Sequence, residues 1–322
     1  MNTSNRVNQL KKSAIHEMTR LSKQYDDVAF LSWAKPTTGT PKNINDAVIE
    51  AINKGLTGGY SQSEGLPELR EEIVKKLKRD NNIDANISQI IVTVGAIEGL
   101  AASVLAAIDP GDEVILPTPT YSTHITQVKL ASGIPVLVPL KEEENFALDI
   151  EAIKKAITSK TKAIIFCTPS NPTGTVFPES TLEEIIAQIK KAHIPLAICA
   201  PVASQYAAIE ALKGSQGCIE EFRLHYLNAR DLMCERLDML DSVFEYNKPE
   251  GSYLMFPKIL GSRGNDSIAF SKNLLKQARV STTPGIAFGP TGENHIRLSF
   301  CVPEEMINKA FDRMEKYFRN NK

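Results

Sequence analysis

What the sequence does without already excludes several kinds of function. Its five cysteines, Cys167, Cys199, Cys218, Cys234 and Cys301, are scattered and form no CxxC pair. The histidines stand in no HExxH run and no Cys/His cluster, so a protein-built zinc site is not expected, and the thiols read as free in a reducing compartment. Charge of one sign is also missing. The 37 basic and 38 acidic residues nearly cancel, so no overall field favours nucleic acid, an anionic membrane or a strongly acidic partner. Nor is there a long apolar run: residues 91–108 fall short of a bilayer span, are interrupted by Gly95 and Gly99, and carry Glu98. The first residues, MNTSNRVNQLKKS, lack the apolar core of a signal peptide. A soluble cytoplasmic protein acting on small polar molecules is the expectation.

What is present is a patterned α/β chain. Helical spacing is expected over residues 1–28, over 45–53 up to Gly55, and from Pro67 with Leu69, Ile73, Val74 and Leu77 on one face. From residue 90, short apolar runs at 90–94, 114–116, 136–140 and 163–167 alternate with helices, the signature of an α/β sheet. Ser180 and Glu183 form a capping box for a helix reaching Ala192, and further helices are expected over 204–212 and 219–240. Residues 243–246 and 252–256 flank a Lys-Pro-Glu-Gly turn like a hairpin, followed by a helix from Ile268, a strand at 295–300 and a last helix from Pro303.

Four segments carry chemistry. In IVTVGAIEGL a strand passes through Gly95 into a helix whose free N–H groups suit a phosphate, although strand–glycine–helix is a common structural device. GDEVILPTPTY presents Tyr121 at a strand end, either stacking on a flat ring or simply covering a loop. FCTPSNPTG holds Asn171 in a turn, where its amide can donate to a ligand oxygen. NHIRLSF sets Arg297 mid-strand among apolar neighbours, where a guanidinium needs an anion, from a structural carboxylate or a substrate.

Together and in this order, these segments resemble class I/II pyridoxal-phosphate-dependent aminotransferases of the aspartate aminotransferase fold (fold type I). The resemblance extends to APVASQYAAIEAL, PEGSYLMF and VSTTPGIAFG. It implies an α/β fold: a three-layer large domain with a mostly parallel sheet, and a smaller α+β domain formed by the N- and C-terminal segments. The boundaries read as 41–214 for the large domain, with 1–40 and 215–322 forming the small one. It implies that Gly95, Ala96 and Ile97 match the phosphate loop, Tyr121 the ring-stacking aromatic, Asn171 the donor to the ring hydroxyl and Arg297 the clamp on the substrate α-carboxylate. Tyr60 matches a tyrosine that reaches the neighbouring subunit's phosphate, which implies a homodimer. Amino acids and 2-oxo acids are the implied substrates, exchanging an amino group through pyridoxal 5'-phosphate.

Two departures matter. Ala34, in Ser-Trp-Ala-Lys-Pro, stands where the family has a glycine that lets backbone approach the substrate carboxylate. More seriously, the family places an aspartate, a tyrosine, the Schiff-base lysine and an arginine between its Asn-Pro-x-Gly turn and its Ser-Gln-Tyr-Ala-Ala helix. Between Thr175 and Ala203 this chain has no Asp, Tyr or Arg, and its only lysines there are Lys190 and Lys191, at the end of an amphipathic helix. Phe270-Ser271-Lys272 imitates the lysine motif, but its station matches a small-domain helix. The expectation is therefore an internal deletion near residues 193–199, a sheet reduced to about four strands with residues 90–94 beside 163–167, weak cofactor binding and no turnover. A non-catalytic binding or interaction protein retaining part of the pocket is the alternative from another class, and a carbon–sulfur lyase of the same fold is a third.

Overall fold

The computed structural model describes Ser4, Asn8, residues 13–178 and residues 202–320. The helix expected to end at Ala192, together with Lys190, Lys191 and Cys199, lies outside the described residues. The chain sorts into two compact units. Met1–Thr37, Ile108–Ala192 and His225–Lys322 form the first, and Thr38–Ala107 with His193–Leu224 forms the second. The terminal segments thus belong together, and the segment from Ile108 is grouped with them rather than with its neighbours 41–107.

In chain order, the first unit opens with α1 (Ala14–Ser22) and β1 (Ala29–Phe30). The second contributes α2 (Lys42–Asn53), α3 (Pro67–Asn81) and α4 (Gly95–Ala107). The first resumes with β2 (Glu113–Thr118), α5 (Ser122–Leu130), β3 (Ile134–Pro139), α6 (Ile150–Ala156) and β4 (Thr161–Ile164). Then come α7 (Val202–Lys213) in the second unit and the long α8 (Gly217–Asp238). The first unit ends with β5 (Phe244–Glu245), β6 (Leu254–Met255), β7 (Lys258–Ile259), α9 (Ser267–Asn273), β8 (Val280–Ser281), β9 (Thr283–Pro284), β10 (Ile296–Ser299) and α10 (Glu304–Asn320).

Two three-stranded sheets and two two-stranded ladders organise the described residues of the first unit. β2 lies between β3 and β4, all parallel. Alternation along β2 sends Ile115 into one core with Ile153 of α6, Phe256 and Phe288, while Val114 and Leu116 face the other way. β10 lies between β6 and β9, both antiparallel to it, and its Ile296 and Leu298 join Met233 and Leu237 of α8 and Phe311 and Met314 of α10 in the largest core. β1 pairs in parallel with β8, tying the N-terminal segment to the C-terminal one. In the second unit α7 packs on α2 and α3, where Asn43 donates to Glu210 at 2.9 Å and Lys213 stands 3.8 Å from Glu72.

Three sequence expectations are corrected. Residues 90–94 form no strand. A strand needs a neighbour to exchange N–H and C=O bonds, whereas here the Val92 N–H goes to the Glu64 carbonyl and the Ile90 carbonyl accepts from Arg70. With that strand gone, the parallel sheet has three strands among the described residues, not four. The expected hairpin across Lys-Pro-Glu-Gly is also absent: β5 pairs with β7, Phe244 opposite Ile259, because β6 is taken by β10.

Candidate functional site

Arg297 occupies the middle of β10, and strand alternation turns it, with Ser299, away from the core that takes Ile296 and Leu298. It remains only 4% exposed. Nη2 donates to the Ser32 carbonyl at 2.7 Å and approaches Thr283 Oγ1 at 3.4 Å, while Nη1 reaches Asn171 Oδ1 at 3.4 Å. The guanidinium lies over the Phe288 ring, 5.2 Å from its centroid. Its Nε has no partner, and no carboxylate pairs with Arg297 among the described residues. Burial, only partly offset by Cys301, Tyr121 and Tyr253, pushes this arginine down to about 10. A buried cation without a counter-charge is costly, and the geometry of a guanidinium suits an anion with two oxygens, such as a carboxylate.

The Ser32 carbonyl that receives Arg297 is itself held in place. Thr283 Oγ1 donates to it at 3.2 Å, and Ser32 Oγ lies 2.8 Å from Ser281 Oγ, which in turn accepts from Ser22 at 2.9 Å. All these hydroxyls are buried. Sequence reasoning missed Ser32, Thr283 and Phe288: a backbone carbonyl has no side-chain signature, Thr283 becomes relevant only through its register opposite Arg297, and Phe288 only through the 3-10 turn after β9.

Asn171 is presented by a turn with close steric limits. Gly174 has φ +73°, and a Cβ there would lie 2.4 Å from Pro249 Cβ, so any side chain would both strain the backbone and drive the turn off the Pro249–Gly251 loop. The Gly251 N–H donates to the Gly174 carbonyl at 3.0 Å, and the Ser170 N–H to the Thr175 carbonyl at 2.8 Å. With Oδ1 accepting from Arg297, the Asn171 amide keeps its Nδ2 hydrogens to donate elsewhere. Tyr121 is the residue before α5, half-buried, with its ring edge-on to His124 at 5.8 Å. Ala34 is half-buried in the loop after Ser32.

The remaining sequence candidates belong to the second unit. Gly95 opens α4 with φ +71°, followed by exposed Ala96 and Ile97. Here the Glu98 carboxylate turns back to accept the Val94 N–H. Tyr60 is 100% exposed. Lys272, on α9 of the first unit, is also exposed, as its solvated reading requires.

The family profile described as aminotransferase class I and II matches residues 27–198 and 196–314. The chain belongs to this family. It is 33% identical to a probable aspartate aminotransferase of Methanocaldococcus jannaschii, over 98% of this chain and 99% of that one, and 32% identical to an aspartate aminotransferase of Pyrococcus abyssi over the full length of both. Among solved structures, alanine aminotransferase from Pyrococcus furiosus superposes with a TM-score of 0.89 at 28% identity, covering 99% of this chain and 100% of that one. Thermus thermophilus aspartate aminotransferase with maleate does so at 0.87 and 27% identity, covering 98% and 99%. The fold is that of the aspartate aminotransferases. The alignment to the M. jannaschii protein runs over 383 positions, more than the 322 residues of this chain, so some of that relative's residues stand opposite gaps.

The family depends on pyridoxal phosphate, and this aminotransferase family member has only part of what that group needs. At the head of α4 a carboxylate, Glu98, already takes the Val94 N–H and brings negative charge to the end where a phosphate would bind. The lysines between Thr175 and Ala203 are confined to Lys190 and Lys191. Those two lie outside the described residues, and the sequence offers no other amine in that segment for a lysine-bound cofactor. In the first unit the Arg297 guanidinium stands with Ser32, Thr283 and Asn171 and keeps an unpartnered Nε.

Proposed function

We propose that this aminotransferase homologue binds a small carboxylate, of the amino acid or 2-oxo acid class, at Arg297 and does not transfer its amino group. The observation that carries the reading is the guanidinium at 4% exposure with its Nε unpartnered and no carboxylate beside it among the described residues. Ser32 and Asn171 fix its plane, so little ordering remains to be done when the ligand arrives. The loss of turnover rests on the sequence. A positioned amine is required to move protons between substrate atoms, a contribution of roughly 100- to 10,000-fold in rate, and the solvated Lys272 cannot supply it. The division of the family match at residues 196–198, and the excess of aligned positions over residues, support a deletion of the lysine-bearing stretch near 193–199. The residues 41–214 then correspond to the remainder of the family's large domain. Tyr60, fully exposed in the single chain, is suited to be covered by a second copy in a cytoplasmic homodimer.

The test combines binding with turnover. Maleate, the dicarboxylate held by the T. thermophilus relative, should bind the purified chain saturably in calorimetry. Arg297→Met should weaken it by about tenfold or more, the loss expected for a charge-assisted pair of bonds. With excess pyridoxal phosphate and 2-oxoglutarate, a panel of amino acids should give no amino-group transfer, and borohydride reduction should leave no pyridoxylated lysine peptide. Transfer from any amino acid would overturn the proposal, as would maleate binding indifferent to Arg297.

A further inference from the structure

A second polar site lies elsewhere in the first unit, where the turn following β3 meets β5, β7 and the residue before β10. It is a cavity of about 380 Å³, lined among others by Glu142, Glu143, Phe146, Glu245, Lys258 and His295. That volume is at the small end of those that hold small molecules.

His295 decides its chemistry. The side chain is 2% exposed and its orientation is fixed, face to face with Phe256 at 4.7 Å and edge-on to Phe146 at 5.8 Å. Nδ1 lies 3.0 Å from the Glu293 carbonyl oxygen, which can only accept, so Nδ1 carries the hydrogen. In the neutral ring Nε2 is then an acceptor, and burial, by lowering the affinity of this imidazole for a proton, favours the neutral form. Facing Nε2 is another acceptor, Glu142 Oε1, at 3.7 Å, beyond hydrogen-bond reach. Lys258 Nζ satisfies that carboxylate at 2.5 Å but makes no bond to the imidazole. An acceptor on a side chain only 2% exposed therefore faces the cavity with no donor among the described residues.

The rest of the lining says what kind of donor fits. Glu142, Glu143 and Glu245 outnumber Lys258, and Glu245 stands opposite Lys258 in the β5–β7 ladder, so the cavity carries net negative charge. Phe146 gives an apolar surface for a short hydrocarbon body. We propose that this cavity binds a short aliphatic primary ammonium ion, whose N–H groups are shared between His295 Nε2 and the carboxylates of Glu142 and Glu245. The ligand is an amine and not an amino acid, since an α-carboxylate would meet the same glutamates. The site is the electrostatic converse of the Arg297 clamp, and its occupancy does not depend on that clamp being functional.

Calorimetric titration of the full chain with n-butylammonium at pH 7.5 tests the proposal, with butyrate and butanol as probes of the same size. Saturable one-to-one binding of the ammonium alone is expected. Glu245→Gln, at an exposed strand position, and His295→Phe, which keeps the stack on Phe256, should each weaken it about tenfold or more. Glu151→Gln on α6 should leave it unchanged, and near-ultraviolet circular dichroism should report an intact fold in each variant. No saturable ammonium binding, or equal binding of butyrate, would overturn the site. So would affinity lost in Glu245→Gln but unchanged in His295→Phe, which reads as attraction to surface charge without use of the buried acceptor.

Discussion

The two units bury their apolar residues very differently. In the first, the strands and α10 converge on one core in which Leu298, Phe300, Phe311 and Met314 are all closed off from solvent. In the second, α4 reads GAIEGLAASVLAA, apolar almost throughout, yet Val104 is its one buried residue, and Ile97 and Leu105 are exposed. Ile49, Ile52 and Leu56, in and just after α2, are exposed as well. Exposed apolar surface on this scale marks a face made to be covered. The described residues of the first unit close a large core, although Ile134, Leu137 and Met239 stay exposed there, whereas in the second unit the exposed apolar residues gather on α2 and α4. The difference is what a chain would show if further residues, or a second copy, belonged against the helices of the second unit.

The largest effect should come from restoring the segment whose loss is proposed. Inserting the relatives' intervening segment after Ala192 should raise amino-group transfer from nothing measurable by about 100-fold or more above background, and should lower binding of a hydrophobic dye. A lone lysine inserted there should do neither. If the dye signal were unaltered by the full insertion, the uncovered helices would need another explanation.

Next in size is a matched pair of truncations followed by urea unfolding. Leu298→Ala, at a site 0% exposed, should cost about 2–5 kcal/mol, whereas Leu105→Ala, at 53%, should change stability by no more than about 0.5 kcal/mol. Similar costs at the two positions would mean that α4 is packed after all.

Acid should also distinguish the units, by a smaller amount. His124 and His295, both buried in the first unit, are held below the ordinary histidine value of 6.5 by desolvation. The unfolded chain then binds more protons than the folded one as pH falls below 6.5, so stability present above that pH should decline through the lowered folded values. His124→Gln should flatten the decline in a melting-temperature series from pH 7.5 to 5. The smallest effect is expected at Tyr60: Tyr60→Ala should alter monomer stability by under about 0.5 kcal/mol while shifting sedimentation toward monomer.

The same contrast marks what could be read in the sequence. Arg297 was legible because a cation between Ile296 and Leu298 contradicts its surroundings, and Asn171 because Asn-Pro-Thr-Gly is turn chemistry whatever surrounds it. Lys272 was correctly read as solvated. The run at 90–94 misled because apolar residues declare that they want burial, not which strand will lie beside them. The pairing of β5 with β7 was invisible for a similar reason: two-residue ladders are chosen by what the neighbouring strands leave available. His295 gave no signal of its own, since its unmet acceptor depends on Glu293 and Glu142 lying where the fold brings them.

The hydroxyl contact between Ser32 and Ser281 closes a loop with a sequence separation of 249. Closing so long a loop has an entropy cost that grows only with the logarithm of its length, so adding or removing some sixty residues inside it changes that cost by about 0.2 kcal/mol. β1 and β8 can therefore find each other almost equally well whatever length of chain runs between them. Because β8 is made long after β1, the join also forms only when translation is nearly complete. The framework around Arg297 is thus nearly indifferent to the length of the intervening chain, and the proposed carboxylate site would tolerate insertion or deletion within it.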